Sequence, residues 1–301
     1  MKNMLKKISV AAIAISFTIA CKSKQPIEAV ATSSKPTVTL RSETPNLPHA
    51  ESVVYDPKSN LLYVSVQGEQ EPGDGSIATL KLDGSLKNIA FAKGLNNPKG
   101  IAIIGNRLYV SDVTELVQID LENGNILNKF SAGDEQFLND VAIDKSGNVY
   151  VSDMGSSSIY KLGLDGNFEK WLSSPDLENP NGLLVVGNTL YVAAWGLPDA
   201  NDTQAITQGR FLKVDLKTKN IEKVTSQPQG NLDGLQVYDN QHFLISDWRK
   251  GNIYKASKSG EMELFFASQV SVGDILYIQD QKILALPLNR QNTVQIFEVT
   301  N

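Results

Sequence analysis

The stretch LNDVAIDKSGNVYVSD, Leu138 to Asp153, decides how the rest of the chain is read. A short apolar segment runs into the polar turn Lys145-Ser146-Gly147-Asn148, and a second segment rich in Tyr and Val follows it. This is the pattern of two antiparallel strands joined by turn-forming residues. Five other segments align with it: AESVVYDPKSNLLYVSV from Ala50, PKGIAIIGNRLYVSD from Pro98, PNGLLVVGNTLYVAAW from Pro180, LDGLQVYDNQHFLISD from Leu232 and VGDILYIQDQKILALP from Val272. Behind most pairs comes a second hairpin, marked by Leu82-Asp83-Gly84, Glu122-Asn123-Gly124, Leu164-Asp165-Gly166 or Lys258-Ser259-Gly260. Each unit thus reads as four antiparallel strands. No segment has the helical pattern that a βαβ unit needs. A four-strand unit recurring every 40 to 52 residues describes the blades of a propeller.

The expected fold is therefore all-β: a six-bladed β-propeller of four-stranded antiparallel blades. The sixth unit has only three strands of its own, the last spanning Thr293 to Val299. Thr37 to Arg41 is expected to supply the missing outer strand, joining the first blade to the last and removing an open edge.

Outside the repeats, residues 1–21 read as an export leader. Lys2, Lys6 and Lys7 precede an uncharged run, Ile8 to Ala20, too short to span a bilayer. It ends Thr18-Ile19-Ala20-Cys21, similar to a bacterial lipoprotein cleavage box, with Thr18 departing from the usual Leu. Cys21 is thus the expected lipidation site, and the protein is expected to be exported and anchored to a bacterial membrane surface by lipid alone. Residues 22–36 have the composition of a flexible tether, and 37–301 form the propeller.

Composition narrows the chemistry. The 301 residues carry 28 Lys and Arg against 33 Asp and Glu, a net charge of −5. Nucleic acid is an unsuitable partner for such a surface. Cys21 is the only cysteine, so neither a disulfide within the chain nor a thiolate cluster can form. His49 and His242 are the only histidines, too few for a histidine-rich metal centre.

Oxygen chemistry remains, and the repeat shows where to look. The slot just before each inner strand, where blades meet the channel, reads Glu51, Lys99, Asn139, Asn181, Asp233 and Gly273. The next position reads Ser52, Gly100, Asp140, Gly182, Gly234 and Asp274, small residues in four of the six cases, which lets backbones crowd at the axis. Glu51, Asn139, Asn181 and Asp233 bring oxygens from four blades toward one mouth. Such hard donors suit Ca²⁺, or alternatively Mn²⁺ or Zn²⁺. Turn formation alone accounts for an Asn or Asp at such a place, though not for Glu51.

These residues resemble those of the gluconolactonase and regucalcin family, the senescence-marker-protein (SMP-30) lactonases, with paraoxonases and strictosidine synthase as remoter relatives. The family's first-blade Glu-Gly-Pro-x-Trp-Asp corresponds to Glu51-Ser52-Val53-Val54-Tyr55-Asp56. Its Asn-Asp, Asn-Gly and Asp-Gly pairs correspond to Asn139-Asp140, Asn181-Gly182 and Asp233-Gly234. Phe137 stands where the family has an Arg. The resemblance implies that Glu51, Asn181 and Asp233 bind a divalent metal, that Asn139 contacts substrate or the ion's water, and that Asp233 is also the general base.

Lys99 either faces the channel, where it can steady an oxyanion or an anionic substrate group, or points outward as a turn residue. The loops Gln67 to Gly75 and Trp195 to Arg210 are long and should rim the mouth. Trp195 and Trp248 either wall the site or pack between blades. Asp112, Asp153 and Asp247 recur with the repeat and read as turn caps. Two functions follow: a monomeric, exported, metal-dependent hydrolase of small lactones or related esters, or a non-catalytic, surface-tethered binding propeller.

Overall fold

In a computed structural model of the chain, which describes residues 36–69, 71–199, 201–202 and 205–300, the repeats become six four-stranded antiparallel sheets. Leader residues 1–21, with Cys21, and all of the 22–36 tether but Pro36 lie outside the described residues. The inner strands are Ala50–Asp56, Pro98–Ile104, Leu138–Ile143, Pro180–Val186, Leu232–Val237 and Leu276–Ile278. In blades 1 to 5 the strands follow in chain order from the axis outward. Blade 6 is completed by Thr37–Thr44, which pairs with Thr293–Thr300 from Thr37↔Thr300 to Thr44↔Val294.

This closing strand runs three residues beyond the expected Arg41. A bulge between Leu40 and Ser42 absorbs one residue, and the pairing then continues. Beyond the bulge, Ser42 donates to the carbonyl of Asp83 at 2.6 Å, and Thr44 donates to that of Gly84. The strand that finishes blade 6 is therefore also fastened to an outer turn of blade 1.

The core lies between the sheets, one cluster at each of the six interfaces. Side chains alternate across a strand, so a strand buried on both faces feeds two clusters. Leu190 and Val192 pack toward blade 3, with Tyr150 and Trp171. Tyr191 and Ala193, on the same strand, pack toward blade 5, with Leu235 and Phe243. This is why the middle of each second strand is a run of apolar residues instead of alternating with polar ones. Each fully buried Leu, Ile or Val in these clusters contributes about 1.5–3 kcal/mol relative to exposure.

The inner strands do not pair regularly at the axis. Register breaks at Ala50/Val53, Pro98/Ile101, Leu138/Val141, Pro180/Gly182 and Leu232/Leu235. Five of the six slot residues thus sit on a bulge inside the strand rather than just before it, and Gly273 alone precedes its strand. A bulge turns a side chain out of the alternation and leaves backbone groups unpaired. Serines of the second strands bond them: Ser65, Ser152 and Ser246 accept from the amides of Ser52, Asp140 and Gly234 at 3.0, 2.8 and 2.7 Å. Ser152 and Ser246 also donate to the carbonyls of Asn181 and Gly273 in the next blade, at 2.7 and 2.8 Å.

Candidate functional site

Two glycines set how closely the blades meet. A Cβ on Gly182 would strike the carbonyl oxygen of Asp233, and one on Gly273 would strike that of Glu51. Asp274 next to Gly273 donates its amide to the same Glu51 carbonyl at 2.8 Å. The main chains of Glu51 and Asp233 are thus each held by close packing against an adjacent blade.

With the bulges and glycines in place, Glu51, Lys99, Asn139, Asn181 and Asp233 line one cavity of about 250 Å³. All five are buried. Lys99 faces inward, which resolves the alternative its sequence position left open. Phe137, Met154, Trp195 and Trp248 form an apolar wall, and Gln67 and Asn289 complete the lining. The two tryptophans meet edge to face, with ring centroids 5.9 Å apart. They follow directly on the second strands Thr189–Ala194 and His242–Asp247.

Oxygens without partners mark the floor. Glu51 Oε2 and Asn181 Oδ1 are buried and accept no hydrogen bond. The Asn181 Nδ2 donates to the carbonyl of Leu232 at 3.1 Å, so its Oδ1 is left as the free end of the amide. The Asn181 amide also favours the charged form of the Asp233 carboxyl. The Asn139 amide nitrogen is engaged by the sulfur of Met154 at 2.7 Å. Buried polar atoms are normally paired, and an orphaned carboxylate oxygen is costly. Two such atoms in one cavity are the sort of acceptors that a bound cation satisfies.

The charges agree with this. Burial pushes the Glu51 carboxyl up to about 7, against the pull of Lys99. Burial also raises Asp233 well above the usual carboxylate range, helped by repulsion from Glu51 and Asp274 and opposed by Asn181 and Lys99. Lys99 is itself lowered by burial, though Glu51, Asp233 and Asp112 favour its charge. Among the described residues it forms no direct ion pair, and its Nζ lies 4.9 Å from the Phe137 ring centroid. Among the described residues no three His, Cys, Asp or Glu side chains are grouped to hold a metal. The donor set here is two carboxylates with amide oxygens, a composition suited to a hard cation.

Beneath the floor, Asp140 and Asp274 cross-link blades. Asp140 accepts from the amides of Val141 and Leu183 at 2.7 and 2.6 Å, and Asp274 accepts from Ser52 Oγ at 2.7 Å. The turn caps are as expected. Asp112 accepts from the amides of Asn96 and Asn97, and Asp153 from those of Gln136 and Phe137. Asp247 accepts from that of Lys250. His49 bonds Asn289 at 3.3 Å and does not line the cavity; His242 pairs with Asp239 at 2.8 Å.

Met154 and Asn289 escaped the sequence reading, whereas Gln67 opens a loop that was expected to rim the mouth. Met154 follows the capping Asp153 and carried a signal only through its place after a second strand, the same place as Trp195 and Trp248. Asn289 lies on a 3₁₀ turn, Asn289–Gln291, that has no counterpart after the second strands of the other repeats among the described residues.

No protein-family model matches the chain, and no curated protein matches it in sequence. In structure it is similar to a gluconolactonase from Xanthomonas campestris, with a TM-score of 0.67 at 15% identity over 87% of this chain and 89% of that one. It is also similar to a luciferin-regenerating enzyme, with a TM-score of 0.64 at 16% identity over 88% of this chain and 95% of that one. A virginiamycin B lyase from Staphylococcus aureus has a TM-score of 0.62 at 8% identity over 88% of this chain and 99% of that one. At these identities the likeness is one of fold.

Proposed function

We propose that the protein is a divalent-metal-dependent hydrolase of lactones or related esters, exported and held at a bacterial membrane by a lipid on Cys21. The observation that carries the reading is the pair of unpartnered oxygens, Glu51 Oε2 and Asn181 Oδ1, in one buried cavity with Asp233. Structural likeness to a gluconolactonase supports the choice of substrate class. Glu51, Asn181 and Asp233 would hold the ion, Ca²⁺ or alternatively Mn²⁺ or Zn²⁺. When bound, such an ion polarises a carbonyl and favours attack by water.

The chain's own residues account for the rest. Asp233, a carboxylate with raised proton affinity, takes the proton of the attacking water. Asn139, its nitrogen held by Met154, offers its oxygen to substrate. Lys99 steadies negative charge developing on the carbonyl oxygen. Trp195 and Trp248 cover the apolar part of the substrate, and the small cavity admits a small molecule rather than a polymer. The protein acts as a monomer.

Purified protein should hydrolyse members of a lactone and ester panel, lose that activity to a chelator, and regain it with Ca²⁺, Mn²⁺ or Zn²⁺. Full activity of Asp233→Ala would overturn the assignment. One observation favours a second reading, a non-catalytic binding propeller: Lys99 already places a positive charge near both carboxylates. That reading expects no turnover on the whole panel, with or without a cation.

A further inference from the structure

The chain has five arginines. Three are paired: Arg41 with Glu298 at 2.8 Å, Arg107 with Asp120 at 3.9 Å, and Arg210 with Glu178. The other two, Arg249 and Arg290, are exposed, and among the described residues their guanidiniums form neither an ion pair nor a hydrogen bond. Both are stacked on the tryptophans of the cavity wall. Arg290 lies 4.7 Å from the Trp248 ring centroid and Arg249 lies 5.6 Å from that of Trp195. The adjacent Lys250 is paired with Asp247 at 3.6 Å.

A guanidinium resting on an indole is held by its face, and its N–H edge stays free. Two such groups on contacting indoles form a pre-ordered cationic edge beside an apolar wall. In a protein of net negative charge, exposed cations left without carboxylate partners on the tryptophans of a cavity wall attract and orient anions. A planar carboxylate matches the fork geometry of a guanidinium.

We propose that Arg249 and Arg290, stacked on Trp195 and Trp248, form an anion-binding subsite that makes the cavity select substrates carrying a carboxylate next to an apolar face. The inference deepens the hydrolase reading by naming a substrate class. The anion and the scissile carbonyl occupy different places, the first beside the tryptophans and the second on the floor.

Benzoate and its neutral analogue benzamide probe the subsite without turnover, through quenching of the wall tryptophans or calorimetry. Benzoate should bind at least about tenfold more tightly than benzamide, and added salt should weaken only benzoate. In R249Q/R290Q the preference should collapse. Turnover is compared in parallel on 4-acetoxybenzoate and phenyl acetate, and the kcat/KM preference for 4-acetoxybenzoate over phenyl acetate should fall by a similar factor in that variant. Equal binding of the two probes, or no binding of benzoate, overturns the subsite. So does a preference that survives in R249Q/R290Q and vanishes in Lys99→Gln, which would put the anion on the floor. If neither ester is turned over while benzoate selectivity depends on the arginines, the hydrolase reading fails and the subsite stands.

Discussion

Gly182 lies so close to the carbonyl oxygen of Asp233 that no side chain fits between them. The distance between blades 4 and 5 at the axis is thereby a function of one missing methyl group. Gly182→Ala must push the Asp233 backbone aside, and overpacking of this kind costs about 1–3 kcal/mol. Calorimetry should show a melting point lowered by several degrees. Metal affinity should fall as well, because the displaced residue is a proposed ligand.

The closing strand sets a second expectation. Deleting residues 37–44 uncovers the edge of Thr293–Thr300 and removes the ties of Ser42 and Thr44 to the Asp83-Gly84 turn. An unpaired edge recruits other chains. Size-exclusion chromatography of the truncated protein should show aggregates, with a lower melting point for whatever monomer remains.

Stability of the metal-free protein should vary with pH in a particular direction. Glu51 and Asp274 are raised by burial to about 7, from ordinary values of 4.5 and 3.8. For a raised carboxyl the folded state binds the extra proton, so its contribution is fully present below the unfolded value and is lost as pH rises through the folded one. The metal-free protein should therefore become less stable between about pH 4.5 and 7. Saturating Ca²⁺ should reduce this loss, since a cation replaces the proton at Glu51. Melting curves of Glu51→Gln without metal should show a shallower fall than wild type.

Lys99 brings charge to the same place a cation would. It senses both Glu51 and Asp233, so its ammonium opposes a divalent ion. Lys99→Met should raise Ca²⁺ affinity severalfold by titration calorimetry. Its kcat on any ester substrate should fall, because the oxyanion loses a partner.

The blade count, the sheet order and the channel slots were legible because each depends on local patterning repeated six times. Glu51, Asn139, Asn181 and Asp233 could be picked out as departures from that repeat. Other features depended on tertiary context. Alternation cannot register a bulge, so whether Lys99 turned inward was undecidable before the Pro98/Ile101 break was seen. The extension of the closing strand to Thr44 hid behind a bulge in the same way. Arg249 and Arg290 carried no motif, because their meaning comes from the indoles beneath them. Trp195 and Trp248 were recognisable as candidates, and they do both: each lines the cavity, and they pack on each other across blades 4 and 5.

Diffraction from Ca²⁺-soaked crystals, phased for anomalous signal, tests the central claim most directly. A single peak about 2.3–2.6 Å from oxygens of Glu51, Asn181 and Asp233 is the expected result, and it should disappear in Asp233→Ala. A channel mouth with no such peak, in which the Lys99 ammonium sits between the two carboxylates instead, would contradict it.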